Sequence, residues 1–206
     1  MLLALPLALW RADAWPLAAV ALASFGFYAL SNVDMWRAMR PLGGYANWVS
    51  VARLSGVLAL GVWATSLPPL VVGLCAVALT TADGLDGYLA RRYGHESDFG
   101  AHLDMETDAL HLCMLTALSY FLGLLPAVIF AVGYTRYVYV LVIAAAGVRD
   151  KPLPRSNLNR VIAVTIQYAL AAVFVLPAVI HMPAVVLASA LLLFSFARSA
   201  VYMLTG

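Results

Sequence analysis

The sequence predicts an all-α protein, an integral membrane bundle of six transmembrane helices with an additional N-terminal hydrophobic or interfacial segment. Hydrophobic residues make up 64% of the 206 residues and charged residues only 11%, whereas soluble domains carry about 25% charged residues. Apolar stretches of about 20 residues, the length that crosses a bilayer as a helix, recur along the chain. Because these stretches do not alternate between apolar and polar residues, they predict helices rather than a membrane β-barrel.

Residues 1–40 are predicted to form a hydrophobic or juxtamembrane segment ahead of the six-helix unit. An apolar stub at 1–10 precedes a segment at 14–31 that is short for a membrane span. The sequence leaves three arrangements open for this segment: a span, a re-entrant hairpin or a helix at the interface. No secretory signal is predicted, because the N-terminus lacks a basic region ahead of its apolar residues.

The six-helix unit is predicted over residues 41–206. Turn-forming or charged residues interrupt its apolar segments, which gives spans at 47–66, 68–90, 101–123, 125–147, 160–179 and 182–204. The last break is placed at the sequence HMP, residues 181–183. Cys75 and Cys113 lie inside apolar segments without CxxC spacing, so neither a disulfide nor a metal site is predicted for them.

The distribution of basic residues predicts the orientation of these spans. Lysine and arginine are concentrated in alternate connections, and the intervening connections at 66–69, 123–126 and 178–183 contain neither. Cytoplasmic loops carry an excess of both residues. The acidic stretch and both ends of the six-span unit are therefore expected to face the cytoplasm.

The acidic residues are concentrated in one stretch, DGLDGYLARRYGHESDFGAHLDMETD, which begins at Asp83 and ends at Asp108. It holds seven of the ten Asp and Glu residues in the chain. Asp83 and Asp86 are spaced i, i+3 and share one face at the end of the second span. Asp104 and Asp108 are spaced i, i+4 and share one face at the start of the third. If the residues between these spans form a short connection, the four carboxylates converge.

Four converging carboxylates predict a site for a divalent metal ion. Each carboxylate at membrane depth costs about 2.5–3.5 kcal/mol on insertion scales, and like charges repel unless a cation holds them. Mg²⁺ or Mn²⁺ is favoured, because hard cations bind carboxylate oxygens together with substrate phosphates. Zinc is not predicted, because the stretch contains no His/Cys cluster.

Small and basic residues in the same stretch predict a phosphate-bearing substrate. Gly84, Gly87, Ala90 and Gly100 leave the backbone accessible to a bulky ligand. Arg91 lies one helical turn after Gly87 and can form a bidentate pair with phosphate oxygens. Together with the acids, these residues indicate a site for a nucleotide diphosphate.

This stretch resembles the signature of the CDP-alcohol phosphotransferase family, also called the CDP-alcohol phosphatidyltransferases. All eight specified positions are present, in the order Asp83-x-x-Asp86-Gly87-x-x-Ala90-Arg91, eight residues, then Gly100-x-x-x-Asp104-x-x-x-Asp108. The resemblance also covers the six-span layout and, more weakly, Asn47-x-x-Ser50-x-x-Arg53 at the start of the first span. There the family often has Pro-Asn-x-x-Thr-x-x-Arg, and this chain has Ala46 and Ser50 in place of the proline and threonine.

The resemblance implies an integral membrane enzyme of phospholipid biosynthesis. Such an enzyme transfers a phosphatidyl group from CDP-diacylglycerol to a hydroxyl group of a small polar acceptor, such as a phosphorylated polyol, and releases CMP. The partners implied are a CDP-linked lipid donor, a small polar alcohol, the lipid bilayer and a second copy of the chain in a homodimer, with no nucleic acid.

The resemblance also implies roles for individual residues. Two Mg²⁺ or Mn²⁺ ions would be bound by Asp83, Asp86, Asp104 and Asp108. Asp108 would also act as the general base. The residues that would contact the CDP group are Asn47, Gly87, Arg91, Ser97 and Gly100.

Three arginines outside the signature are candidates for binding the acceptor: Arg136, Arg155 and Arg160. Arg136 lies in the middle of a predicted span, where an arginine is by default a functional-site candidate, and the alternatives are a structural partner or snorkelling. Arg155 and Arg160 either bind an anionic acceptor or form the basic flank of a span. Arg53 either reaches phosphates or pairs with a carboxylate, and Glu106 is expected to be solvated.

Two other functions remain open from the sequence. In the first, the donor is a soluble CDP-alcohol and the acceptor is a diacylglycerol-type lipid, and the signature fits both directions of transfer. In the second, the protein is a cation transporter that uses the carboxylates as a path. A transporter predicts acids near the bilayer midplane, whereas these acids cluster at one membrane face beside an arginine, so the enzyme is favoured.

Overall fold

A computed structural model of the chain describes residues 1, 3–38, 45–93, 98–145 and 157–205. All regular secondary structure in these ranges is helical, which confirms the all-α prediction. The α-helices are α1 (Ala4–Arg11), α2 (Trp15–Ser31), α3 (Val33–Ala38), α4 (Tyr45–Trp63), α5 (Pro69–Tyr93), α6 (Asp98–Phe121), α7 (Phe130–Ala145), α8 (Asn157–Val173) and α9 (Ala178–Thr205). Single 3₁₀ turns follow α4 and precede α7.

Two segments within the described ranges are long and apolar enough to cross a membrane by length and composition. They are Asn47–Ser66, which contains most of α4, and Ala178–Arg198 in α9. Shorter apolar helical segments lie at Trp15–Ser31, Pro69–Leu85, Ala127–Val142 and Val161–Val173. These helices are compatible with a membrane protein, and the count of six spans stays a prediction.

The predicted break at 181–183 is wrong. The turn between α8 and α9 lies at residues 174–177, and Pro183 lies inside α9. Pro177 immediately precedes α9, and its carbonyl accepts a hydrogen bond from the backbone N–H of Ile180 at 3.0 Å. A proline at this position suits a helix start, because its φ is already helical and its missing N–H would have no partner there.

Helix α6 is the central element of the bundle. It contacts α4, α7 and α8. Its middle is completely buried, at Leu110, Cys113, Met114, Leu115, Ala117 and Leu118. This packing fixes the position of α6, and therefore the positions of the acidic residues near its N-terminal end.

The N-terminal helices pack against the bundle. Leu17, Ala18 and Ala21 of α2 are buried, and α2 contacts α4. The Tyr28 ring stacks on the ring of Phe99 in the first turn of α6, with centroids 5.1 Å apart and planes 8° apart. The segment predicted at 1–40 is therefore in contact with the helix that carries two of the signature aspartates.

Glycine allows α6 and α7 to approach closely. A Cβ atom added at Gly133 of α7 would lie 2.1 Å from Oγ1 and 3.1 Å from Cβ of Thr116 in α6. Thr116 is completely buried, and its hydroxyl donates to the Cys113 carbonyl at 2.8 Å. Small residues at such contacts let helix backbones approach in membrane proteins.

Substitution of Gly133 by alanine is expected to lower the free energy of unfolding by about 1–3 kcal/mol, because the added methyl group overpacks this contact. The thermal unfolding midpoint in detergent measures the effect. The matched control is Gly26→Ala in α2, where an added Cβ meets nothing within 4 Å. That control is expected to be neutral or slightly stabilising. Equal midpoints for the two variants would contradict the close packing.

Candidate active site

Three signature aspartates come together where α4, α5 and α6 meet. Asp83 lies towards the end of α5, whereas Asp104 and Asp108 lie one helical turn apart near the start of α6. One carboxylate oxygen from each of the three lies within 4.8 Å of the other two. The predicted convergence of carboxylates from consecutive helices is therefore present for these three residues.

Arg53 of α4 joins the three carboxylates. Its Nη1 atom lies 2.7 Å from Oδ1 of Asp83 and 2.8 Å from Oδ1 of Asp104. Its Nη2 atom lies 2.5 Å from Oδ1 of Asp108. Nη1 donates a hydrogen bond to Asp104 and Nη2 donates one to Asp108. Arg53 and Asp83 form an ion pair, but the geometry at the buried Oδ1 atom of Asp83 is not that of a hydrogen bond. The sequence left two roles open for Arg53, contact with phosphates or pairing with a carboxylate. In the structure, Arg53 pairs with carboxylates.

Arg53 approaches the acids from the interior of the bundle. Its side chain is 1% exposed, compared with 11% for Asp83, 41% for Asp104 and 31% for Asp108. The carboxylates thus have a buried side, where the guanidinium lies, and an accessible side. A ligand from solution approaches from the accessible side.

The face of α4 that carries Arg53 also carries Asn47 and Ser50, the other two residues of the Asn47-x-x-Ser50-x-x-Arg53 pattern. Asn47, Ser50 and Arg53 are spaced three residues apart and are all buried, at 3%, 3% and 1% exposure. Residues at this spacing share one helix face. That face is turned towards α5 and α6, both of which contact α4.

The donor set fits a hard divalent cation. Among the described residues, Asp83, Asp104 and Asp108 form a cluster of three side chains that could bind a metal ion. All its donors are carboxylate oxygens on partly accessible side chains, which suits Mg²⁺ or Mn²⁺ and not zinc. When bound, such an ion would be held by these three residues together with any further ligands from substrate or water.

Comparison with known proteins identifies the family. The family model described as CDP-alcohol phosphatidyltransferase matches residues 44–197, well over half of the chain. The chain belongs to the CDP-alcohol phosphatidyltransferase family. Neither the curated proteins nor the solved structures contain a match.

The region that matches the family model includes all eight positions of the signature. Gly100 lies in the first turn of α6 and is partly buried. Asp86, Gly87 and Arg91 lie in α5, but the positions of their side chains are not among those that the structure describes. Ser97 lies outside the described residues. The roles predicted for these residues remain predictions.

A cavity of about 210 Å³ adjoins the carboxylate cluster. Asp108 and Arg136 line it, together with Gln167 of α8 and Ser195 of α9. Gln167 is 4% exposed, and its Oε1 atom has no hydrogen-bond partner among the described residues. Gln167 therefore contributes a buried amide group to the wall of the cavity that Asp108 also lines. Arg160 lies near the start of α8, where its side chain is not described, and Arg155 lies outside the described residues.

The expectation that Glu106 is solvated is wrong. Nη2 of Arg136 donates to Oε1 of Glu106 at 2.5 Å, and the two side chains are only 25% and 28% exposed. An arginine in the middle of an apolar helix needs a partner for its charge. Glu106 faces α7 and supplies the negative charge that pairs with Arg136. Sequence reasoning had a signal for this pair: Arg136 was mid-span, and Glu106 was an acid on a neighbouring segment that the signature left unassigned.

Glu106→Gln and Arg136→Met are each expected to lower the unfolding midpoint, and the double variant is expected to lose less than the sum. The coupling free energy should be about 1 kcal/mol or more, because the two side chains are in contact and half-buried. A double-mutant cycle by thermal unfolding in detergent measures it. Asp34→Asn combined with Arg136→Met is the control cycle and should be additive, since Asp34 is exposed on α3. Additive losses for Glu106 and Arg136 would contradict the pair.

Proposed function

We propose that this protein transfers a phosphatidyl group from CDP-diacylglycerol to a hydroxyl group of a small polar acceptor and releases CMP. The reaction would contribute to phospholipid biosynthesis at the cytoplasmic face of a bacterial-type inner or plasma membrane. The observation that carries the proposal is the convergence of Asp83, Asp104 and Asp108 within 4.8 Å, in a member of this family. The positive-inside distribution of lysine and arginine supports the cytoplasmic orientation.

Asp83, Asp86, Asp104 and Asp108 are the proposed ligands of two Mg²⁺ or Mn²⁺ ions. Bound ions would supply electrostatic stabilisation of the diphosphate and of the leaving CMP. The convergence of three of the four carboxylates, and their accessible outer side, support this assignment. Asp86 follows Asp83 by three residues on the same helix, which is the spacing at which side chains share a face.

Asp108 is the proposed general base. The acceptor hydroxyl oxygen forms a bond to the phosphorus that carries diacylglycerol, and the phosphoanhydride bond to CMP breaks. The hydroxyl proton passes to the Asp108 carboxylate, and CMP leaves with the electron pair of the broken bond. The position of Asp108 on the wall of the 210 Å³ cavity supports this role, because a general base must be within hydrogen-bond reach of the proton that it removes.

The CDP group is proposed to contact the backbone at Gly87 and Gly100 and the side chains of Asn47, Arg91 and Ser97. Arg91 would pair with phosphate oxygens as charge develops on them in the transition state. The burial of Asn47 on the face of α4 that carries Arg53 supports a position next to the carboxylates. The other four assignments rest on the resemblance to the family.

Arg136, Arg155 and Arg160 are the proposed acceptor-binding residues. Arg136 lines the cavity beside Asp108 but is already paired with Glu106, so it would contribute hydrogen bonds more than net positive charge. Recognition of a phosphorylated polyol would then depend mainly on the positive charges of Arg155 and Arg160. The acceptor class is therefore expected to respond to substitution of those two residues.

An apolar groove beside the site supports a lipid substrate. It measures about 450 Å³ and lies between α2, α4 and the start of α6. Its walls include Phe25, Trp48, Leu54 and Leu103. The groove reaches Leu103, the residue before Asp104 in α6. An acyl chain bound there would therefore place the lipid at the same end of the bundle as the carboxylates. We also propose a homodimer, because the family resemblance implies one.

CMP release by the purified protein tests the function and the direction of transfer. The protein in detergent with Mg²⁺ or Mn²⁺ receives CDP-diacylglycerol and, in separate reactions, glycerol phosphate, inositol phosphate, inositol or serine. Release that depends on one acceptor is the expected result, and it names the product. A second set of reactions supplies soluble CDP-alcohols with diacylglycerol.

The two sets of reactions have distinct outcomes. Release only in the second set would reverse the proposed direction of transfer and leave the family assignment intact. No release in either set, from protein whose unfolding transition shows that it is folded, would contradict the proposed function. Cation uptake by vesicles that contain the protein would point to the transporter instead.

A further inference from the structure

Arg53 is the buried cation of the acidic cluster. Its two Nη atoms lie 2.5–2.8 Å from oxygens of three different aspartates, on two helices. A guanidinium group can do this because its donors form a rigid fork and its charge persists at every physiological pH. Arg53 therefore holds α5 and α6 to α4 at the level of the site.

The charge of Arg53 offsets the repulsion among the carboxylates. Three carboxylate oxygens within 4.8 Å of one another repel strongly when their surroundings are partly withdrawn from water. Arg53 supplies one unit of positive charge from the buried side, where its own exposure is 1%. Its burial also means that its charge is screened by solvent much less than a surface charge.

The same charge acts on any divalent ion that binds the cluster. An ion that enters from the accessible side shares its ligands with Arg53, and the guanidinium repels it at short range. Carboxylate oxygens that accept hydrogen bonds from Arg53 also have less electron density to offer the ion. Both effects lower the affinity of the carboxylates for the ion.

We infer that Arg53 is a positioning residue that stabilises the converged carboxylates with its own charge and thereby keeps their affinity for divalent ions low. Tight binding of the ions then requires additional ligands, which the diphosphate of the donor provides, because Mg²⁺ binds readily to one or two carboxylates plus substrate phosphates. This inference rests on the proposed metal site and adds a role for a residue outside the eight signature positions.

Mn²⁺ binding to Arg53→Met tests the inference without any measurement of catalysis. The variant keeps an unbranched apolar side chain in place of the arginine and removes its charge. Its dissociation constant for Mn²⁺, measured by electron paramagnetic resonance in detergent, is expected to be at least about tenfold lower than that of the wild type. Its unfolding midpoint in EDTA should fall by about 5 °C or more, and Mn²⁺ should raise that midpoint more than it raises the midpoint of the wild type.

Two further variants separate charge from other effects. Arg53→Lys keeps the charge and loses the fork, so its Mn²⁺ affinity should stay within about threefold of the wild type. Arg92→Met removes an arginine from the exposed surface of α5, and solvent screening predicts a change of less than about twofold. Binding by Arg53→Lys as tight as that by Arg53→Met would contradict the assignment of the effect to charge.

The outcomes distinguish this inference from the proposed function. If the wild type and all variants bind no Mn²⁺, the metal site and the proposed function both fail. If the wild type binds Mn²⁺ and Arg53→Met binds it equally or more weakly, only the inference about Arg53 is overturned. An Arg53→Met protein that fails to fold even with saturating Mn²⁺ would also overturn it, because bound ions should replace the lost charge.

Discussion

Substitution of Asp108 by asparagine is expected to lower the rate of CMP release by at least about a hundredfold. Asparagine has nearly the same size as aspartate but cannot take the proton of the acceptor hydroxyl, and general-base catalysis alone contributes about 10²–10⁴-fold. The loss of a carboxylate ligand adds to this effect. The fold should persist, because Arg53 keeps its contacts with Asp83 and Asp104 and the repulsion within the cluster is reduced. Initial rates of acceptor-dependent CMP release measure the change.

Asp34→Asn is the matched control for this substitution. It makes the same chemical change at an exposed carboxylate on α3, and its rate should equal that of the wild type. The unfolding midpoint of each variant shows whether the protein is folded. A folded Asp108→Asn protein with a rate within threefold of the wild type would exclude Asp108 as the general base.

Removal of divalent ions by EDTA is expected to abolish CMP release, and addition of Mg²⁺ or Mn²⁺ should restore it. The reason is that the leaving CMP and the diphosphate carry charge that the ions would neutralise. In Asp104→Asn, the Mg²⁺ concentration for half-maximal rate should rise at least about tenfold, because mutation of one ligand weakens the whole site. Titration of the rate against Mg²⁺ in the wild type and the variant measures both effects.

The position of Asp104 makes this variant informative. Its side chain is the most exposed of the three carboxylates, at 41%, so its substitution disturbs packing least. Asp34→Asn again serves as the control and should have the half-maximal Mg²⁺ concentration of the wild type. Full activity after exhaustive chelation would contradict a metal-dependent mechanism.

Helix positions were predictable from apolar segments, whereas helix ends depended on local chemistry. The predicted spans at 68–90 and 101–123 overlap α5 and α6 closely, because charged and polar residues separate them. The last break was misplaced at 181–183, since both Pro177 and Pro183 are turn formers and only one of them begins a helix. The hydrogen bond from the Ile180 N–H to the Pro177 carbonyl shows that the helix starts after Pro177. The sequence alone does not reveal that bond.

The candidate site was predictable to the extent that it depends on helical spacing. Asp104 and Asp108 had to share a face, and a short connection had to bring them near Asp83. The sequence left open whether Arg53 contacts phosphates or pairs with a carboxylate, because Arg53 lies on a different helix, 51 residues from Asp104 and 55 from Asp108. Long-range pairing depends on how helices pack, which is also why the contact between Glu106 and Arg136 was missed.

The N-terminal segment illustrates a further limit of sequence reasoning. Its composition left a span, a hairpin and an interfacial helix open, and periodicity could not choose among them. The structure adds the contacts of α2 with α4 and of Tyr28 with Phe99. These contacts place the segment beside the first turn of α6, a relation that no local pattern encodes.

The fate of the phosphatidyl group decides whether the acidic cluster is a transfer site. The purified protein would receive CDP-diacylglycerol labelled in its phosphatidyl phosphate, Mg²⁺ and the acceptor that supports CMP release. Our account predicts equal amounts of CMP and of a labelled phosphodiester lipid containing the acceptor, with neither product formed by Asp108→Asn. Release of CMP with labelled phosphatidate as the only lipid product, or equal product formation by the variant, would contradict it.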